Sequence, residues 1–346
     1  METKANEIAK NLNPFNLIRF ETLFYGETKT KSDVIGYYND YIENLNKNEQ
    51  VKTAIGYGCS RNSIASYLKI INKGKVKKFL FDDVNIEFLK GYEKWMLANE
   101  NSEATVGIYL RNLRTLYNLA IKNGEASQEL FPFGKGAYQI PTGSKVKKVL
   151  TLDELKRLFF AEVEKSSHYE KAKDFWFFSY MCNGINMKDI AGLKYSDVTN
   201  ESISFVRAKT KAATRGNQKR IVAANSDYTK GVIEKYGNKP AIRNSYVFPI
   251  LSNGMSEVEK VNATQNFVRY VNQHIKTLAK TLGINESIST YWARHSFATT
   301  AMRKGVLKSL IQDSLGHHSA STTEGYLAGF EIEAKQELAN SLLAFD

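Results

Sequence analysis

Apolar positions fall at helical spacing over most of this chain. From Ser32, the residues Val34, Tyr37/Tyr38, Tyr41 and Leu45 repeat every three or four positions, which predicts an amphipathic helix. A second carries Ile64, Tyr67/Leu68 and Ile71 and stops at Gly74. A third runs from Asn85, with Phe88, Leu89, Tyr92 and Trp95/Met96 on its apolar face. A fourth runs from Ser102 to Lys122 and ends at Gly124, with Val106, Tyr109/Leu110, Leu113, Leu116/Tyr117 and Ala120 as its buried stripe. Residues 1–29 mix asparagines, Pro14 and several aromatics. They predict no firm element, and a short arm or a strand-like lead-in both fit.

The pattern then breaks. Residues 131–149 hold two prolines, three glycines and four lysines, a linker composition. Thr151-Leu152-Asp153-Glu154 restarts a helix as a capping box, in which Thr151 accepts from the backbone of Glu154 and Glu154 reaches back. Phe175–Tyr180 and Ile185–Leu193 predict two more helices, separated at Asn183-Gly184. Ile203–Phe205 and Arg220–Val222 read as strands around the polar hairpin loop Thr210–Asn217. From Val261 the pattern is helical to the end. No internal repeat is present.

Length and charge sharpen this picture. A chain of 346 residues exceeds one ordinary core and predicts two domains, and 42% hydrophobic residues suffice to fill both. There is no apolar run of about 18 residues that would span a membrane, and the polar start, Met1 to Asn6, carries no secretory signal pattern. The two cysteines, Cys59 and Cys182, have no metal-binding spacing. A reducing compartment, no membrane, no metal and no cofactor are the expectation. The net charge of +12 favours a polyanionic partner. On the fourth helix Arg111, Arg114, Asn118 and Lys122 form a stripe of their own, which suits a phosphate backbone and equally suits a solvated face.

The residues that carry chemistry lie near the end. Thr290-Tyr291-Trp292-Ala293-Arg294-His295-Ser296 opens one helix; Leu315-Gly316-His317 follows, and Tyr326 comes nine residues after that histidine. Breaking a phosphodiester without metal or water needs a nucleophile, donors for the charge gathering on the non-bridging oxygens, and a proton for the leaving 5′ oxygen. A guanidinium grips phosphate with paired donors. A phenol, with a pKa of about 10, leaves more readily than a sugar alcohol, so a phosphotyrosine can be reversed by a DNA hydroxyl.

This order and spacing resembles the C-terminal active site of the tyrosine recombinases, the phage-integrase family. The resemblance implies a mainly α fold with a small β-hairpin in the catalytic domain, built as a two-domain DNA clamp. Residues 30–130 would be the helical, SAM-like core-binding domain, 131–149 the linker, 150–330 the catalytic domain and 331–346 a C-terminal tail helix. It implies Tyr326 as nucleophile, Arg294 and His317 as phosphate ligands, and a hairpin lysine as proton donor. Lys209, in Arg207-Ala208-Lys209-Thr210, fits best, with Lys211 as its competitor. Arg111, Arg114 and Lys122 would bind DNA.

Two positions depart from the family pattern. Asn186 stands where the first arginine belongs, although the acid three residues on is present as Asp189. Lys188, Lys194, Arg207 and Lys211 are all candidates for the missing charge. Tyr291 stands three residues before Arg294, where the family usually has histidine; His295 reads as a supporting or helix-start residue. The Asn186 segment resembles integrases of mobile elements in Bacteroidetes. The implied protein is a cytoplasmic, nucleoid-associated bacterial enzyme that acts on double-stranded DNA as a homo-tetramer, with an accessory DNA-bending or directionality factor, to integrate or excise a mobile element. A catalytically silent DNA-binding relative remains the alternative.

Overall fold

The computed structural model describes residues 2–11, 33–75, 78–143, 149–208 and 219–316. It divides into two compact units, Met1–Lys145 and Val146–Asp346.

The first unit opens with α1 (Glu2–Asn11), a helix in the segment for which the sequence predicted no element. Then come α2 (Val34–Lys47), α3 (Val51–Ile71), α4 (Ile86–Ala98) and α5 (Glu103–Lys122). Side chains of Asp33, Asn85 and Ser102 cap α2, α4 and α5 by accepting backbone N–H groups. Asp33 also accepts from the Phe79 amide at 3.0 Å, which ties α2 to the α3–α4 connection. The core is aromatic, with Tyr38, Tyr92, Tyr117 and Phe81 fully buried. Buried hydroxyls need partners. Tyr38 pairs with Ser60 at 2.8 Å and Tyr92 donates to Ser63 at 2.7 Å. Burial pushes both phenols well above their ordinary range.

Two expectations change here. The second helix starts at Val51, well before Ile64, and its last apolar residue, Ile71, is exposed. Within the segment expected to be a linker, residues 131–143 instead pack on this unit. Phe133 and Tyr138 join the core, and the Tyr138 hydroxyl donates to Glu93 at 2.6 Å. A Cβ at Gly107 of α5 would collide with the Pro141 carbonyl.

The second unit starts with α6 (Leu152–Phe159), capped by Thr151 and Glu154 as the sequence predicts. Next are α7 (His168–Met181), the short α8 (Met187–Ala191), and strands β1 (Ser202–Val206) and β2 (Arg220–Ala224). The strands pair antiparallel, with Ile203 opposite Ala223 and Phe205 opposite Ile221. These four side chains face the core, as the two-residue period of a strand requires. A helix absent from the sequence reading, α9 (Asp227–Tyr236), follows. Tyr228, Lys235 and Tyr236 all bond to Asp174, which fixes α9 on α7.

The predicted continuous helical stretch from Val261 is three helices among the described residues: α10 (Glu257–Thr281), α11 (Thr290–Arg303) and α12 (Lys308–Leu315). Glycines at positive φ, Gly283, Gly305 and Gly316, end each of them. Cys182 is buried in an apolar core cluster and Cys59 is exposed. Among the described residues no helix is long and apolar enough to cross a membrane. The hairpin loop 210–217 and the tail 331–346 lie outside the described residues.

Candidate functional site

The first component is the turn after α7. Asn183 and Gly184 both take left-handed backbone, φ 56° and 66°, which glycine adopts freely and asparagine tolerates. The Asn183 amide donates to the Val222 carbonyl at 3.1 Å and so holds the turn to β2. Asn186 follows at the N-cap of α8. Its amide turns to Asp189 Oδ2 at 3.3 Å, not to the helix backbone.

The second component is α11. Its start is set from two sides: Trp176 Nε1 donates to the Ser289 carbonyl at 3.1 Å, and Asn272 Oδ1 accepts the Thr290 N–H at 2.7 Å. One turn on, Arg294 is only 1% exposed, rare for so polar a side chain. Its Nη1 donates to the Gly184 carbonyl at 2.9 Å and its Nη2 to the Leu315 carbonyl at 2.6 Å. The Leu315 carbonyl belongs to the last turn of α12, where carbonyls lack helical partners and a cation suits the helix dipole. The guanidinium therefore links the α7–α8 turn to the end of α12, one residue before Gly316 turns into His317.

The third component is Asp189, also buried. Its Oδ1 accepts the Ala208 N–H at 2.9 Å, which joins α8 to the end of β1. Burial pushes its carboxyl up. The hydrogen bonds from Ala208 and Asn186 and the charges of Arg207 and Arg294 pull the other way, and burial prevails.

Tyr291 is half exposed, its ring edge-on to His295 at 4.6 Å between centroids. His295 is buried. The fold thus brings Asn186, Asp189, Arg294, His295 and Tyr291 into connected segments of one unit. Lys209, Lys211, His317 and Tyr326 lie outside the described residues. Arg111, Arg114 and Lys122 are on α5 of the first unit; Arg111 is half-buried, and Arg114 and Lys122 are exposed.

One component escaped the sequence reading. Gly184 was legible as a helix break, but it is also a wall of the site. A Cβ there would come within 2.7 Å of Arg294 Cα. The Asn-Gly pair signals the turn, while nothing in the sequence signals the side chain pressed against it.

Among the described residues no group of three or more His, Cys, Asp or Glu could hold a metal ion.

Residues 33–140 match the model of the phage integrase SAM-like domain, and residues 148–331 match that of the phage integrase family. A tyrosine recombinase of Thermosipho africanus is 25% identical over 301 residues, covering 85% of this chain and 94% of that protein. The tyrosine recombinase XerD of Rickettsia bellii is 23% identical over 282 residues, covering 77% and 88%. Among solved structures, the Tn1549 transposon integrase in complex with a circular intermediate DNA superposes with a TM-score of 0.62 at 18% identity, over 90% of this chain and 99% of that one. A lambda integrase tetramer bound to a Holliday junction gives 0.57 at 15% identity, over 88% and 80%.

Proposed function

This chain belongs to the phage integrase family, the tyrosine recombinases, and from that premise we propose that it cuts and rejoins DNA site-specifically through a 3′-phosphotyrosine, to integrate or excise a mobile element. The observation that carries the reading is Arg294. It is buried and tied by hydrogen bonds to the turn that leads to Asn186 and Asp189, and to the last carbonyl before Gly316-His317. Those are the segments the family's chemistry requires together.

The reaction conserves bond energy. The Tyr326 phenol gives up its proton to solvent, its oxygen attacks the scissile phosphorus, a Tyr–O–P bond forms, and the P–O5′ bond breaks. The 5′ oxygen leaves with a proton from Lys209. Arg294 and His317 donate to the non-bridging oxygens, where negative charge concentrates in the five-coordinate transition state. Tyr291 adds a hydroxyl in place of the family's usual imidazole. In the second step a 5′ hydroxyl of the partner strand attacks phosphorus and releases the tyrosine. No external energy source is consumed.

DNA is the partner, and both units bind it. Four copies assemble to pass strands through a Holliday junction; the similar lambda integrase has been solved as a tetramer bound to such a junction. An accessory DNA-bending or directionality factor and association with the bacterial nucleoid complete the reading. The cations of α5, half-buried Arg111 and exposed Arg114 and Lys122, supply part of the affinity. Removing one side chain that neutralises a phosphate flattens the slope of log affinity against log salt by about 0.9. Arg111→Ala combined with Arg114→Ala is expected to flatten it by roughly 2, read by fluorescence anisotropy over a salt series. An unchanged slope would assign both arginines to the solvated face.

The test of the main reading uses the DNA flanking the protein's own gene, nicked so that the intermediate is trapped. A protein–DNA adduct that survives denaturant, with the DNA mapped by mass spectrometry to the peptide containing Tyr326, is the expected result. DNA binding without an adduct would favour a catalytically silent relative, the reading that Asn186 and Tyr291 alone support.

A further inference from the structure

The proton donor and the phosphate ligands of the reaction come from different elements. Lys209 belongs to the chain between β1 and β2, and His317 to the chain after α12. A proton passes only over hydrogen-bond distances, so the hairpin and the end of α12 must keep a fixed spacing. Three contacts bear on it. The Asn183 amide holds β2 at the Val222 carbonyl, 3.1 Å away. Ile221 packs on Gly316 so closely that a Cβ there would come within 2.5 Å of Ile221 Cδ1. The third contact is an ion pair, Lys219 Nζ to Asp313 Oδ1 at 2.5 Å.

The placing of this pair is informative. Arg157–Asp153, Lys230–Asp227 and Lys260–Glu257 each join adjacent turns of one helix. Lys219–Asp313 joins two elements instead. Lys219 stands immediately before β2, next to the last rung of the ladder, Val206 opposite Arg220. It therefore marks the neck of the loop that carries Lys209. Asp313 is in the last turn of α12, two residues before the Leu315 carbonyl that accepts from Arg294. An acid there does not serve the helix, whose C-terminal turn already bears partial negative charge. It does little for the stability of the fold either. Both side chains keep much of their exposure, 39% for Lys219 and 64% for Asp313, and such pairs contribute little. What the pair fixes is the place where the loop leaves the sheet, measured against the end of α12.

We propose that Lys219 and Asp313 are positioning residues for proton transfer: their ion pair ties the neck of the hairpin loop to α12 and so sets Lys209 at its working distance from the leaving oxygen. This rests on the recombinase reading. When the P–O5′ bond breaks, its electron pair stays on the 5′ oxygen. That oxygen takes a proton from the Lys209 ammonium and leaves as a hydroxyl, and the lysine is left as a neutral amine. Lys219 and Asp313 act only through Lys209. Losing them therefore slows the step that needs the proton and spares a reaction that does not.

The experiment uses that difference. Once the wild-type adduct has located the cleavage position, nicked flanking DNA is made in two forms, with oxygen or with sulfur as the bridging 5′ atom of the scissile phosphate. A thiol has a pKa of about 8.5, far below that of an alcohol, so the sulfur leaves without a proton. Single-turnover adduct formation is measured on both, with DNA affinity and thermal unfolding in parallel. On the oxygen substrate Asp313→Asn and Lys219→Gln are expected to be slower by about tenfold, a part of what general-acid catalysis supplies. On the sulfur substrate both should come within about twofold of the wild type, with affinity and melting nearly unchanged. Asp313→Lys should be slow on oxygen, and adding Lys219→Asp to it should recover most of the rate by reversing the pair. Wild-type rates on oxygen in Asp313→Asn would overturn the proposal. So would an equal defect on both substrates, which would make the pair a support of the whole site. A slow Lys219→Gln beside an unaffected Asp313→Asn would make Lys219 a DNA contact and overturn it, as would a reversed pair no faster than Asp313→Lys alone. A wild type that forms no adduct removes the recombinase reading and this proposal with it. A wild-type adduct with any of the overturning results removes only this proposal.

Discussion

Arg294→Ala is expected to slow covalent-complex formation by about a thousandfold and to destabilise the second unit at the same time. The two effects have separate causes. The kinetic loss follows from removing a preorganised cation from the place where phosphate charge develops. One neutral donor in such a place is worth about a hundred- to a thousandfold in rate, and a guanidinium brings several donors with a full charge. The stability loss follows from what Arg294 does in the absence of DNA. It fills a buried volume and satisfies the carbonyls of Gly184 and Leu315. An unsatisfied buried polar group costs about 1–3 kcal/mol, so two orphaned carbonyls place the loss at roughly 2–6 kcal/mol. Arg294→Lys separates the causes. An ammonium is a point charge and cannot bridge two carbonyls in the planar geometry of a guanidinium. It should recover part of the melting temperature and little of the rate. Single-turnover trapping and thermal unfolding read the two quantities independently. An alanine variant that forms adduct at the wild-type rate would end the role assigned to Arg294.

Much of this arrangement is legible in the chain itself. The α6 cap at Thr151 and Glu154, the β1–β2 hairpin and the turn at Asn183-Gly184 are local features, written in adjacent residues. The Arg294 segment stands out because its residue types match a chemistry at a fixed spacing. What stays hidden depends on contacts between distant residues. The front of α3 holds Gly56, Gly58, Cys59, Ser60 and Ser63, which blur the apolar period. Its small hydroxyls are there because Tyr38 and Tyr92 press on them from other helices. Residues 131–143 have the composition of a linker, yet Phe133 and Tyr138 find a place in an aromatic core. The short polar helix α9 is held by tyrosine and lysine bonds to Asp174, which no local pattern announces. Arg207 is similar: nothing in the sequence announces that it is buried, next to an Ala208 amide that binds the distant Asp189 carboxylate.

Gly184→Ala should be among the most damaging single-methyl additions in the second unit, and Gly305→Ala shows why. Both glycines hold positive φ, 66° and 75°, so both substitutions carry the strain of left-handed backbone, about 1–2 kcal/mol. At Gly305 nothing lies within 4 Å of the added Cβ, and the cost ends there. At Gly184 the Cβ would stand 2.7 Å from Arg294 Cα, 2.8 Å from its Cγ and 2.9 Å from its Cβ. The Cα cannot rotate away, because α11 is fixed at its start by Trp176 and Asn272. Either the turn or the helix must move, at an overpacking cost of a further 1–3 kcal/mol or so. For a unit of this size the total corresponds to a fall in melting temperature of roughly 4–20 °C, against about 2–8 °C for Gly305→Ala. The displacement also reaches the chemistry. Moving Arg294 from the Gly184 carbonyl misaims its guanidinium, and a misplacement of about 1 Å can cost a hundredfold in rate. Gly184→Ala should therefore lose adduct formation even at temperatures where it remains folded, while Gly305→Ala retains it. Equal melting temperatures and equal rates for the two variants would mean that Gly184 does not press on Arg294, and the site would have to be rebuilt without that wall.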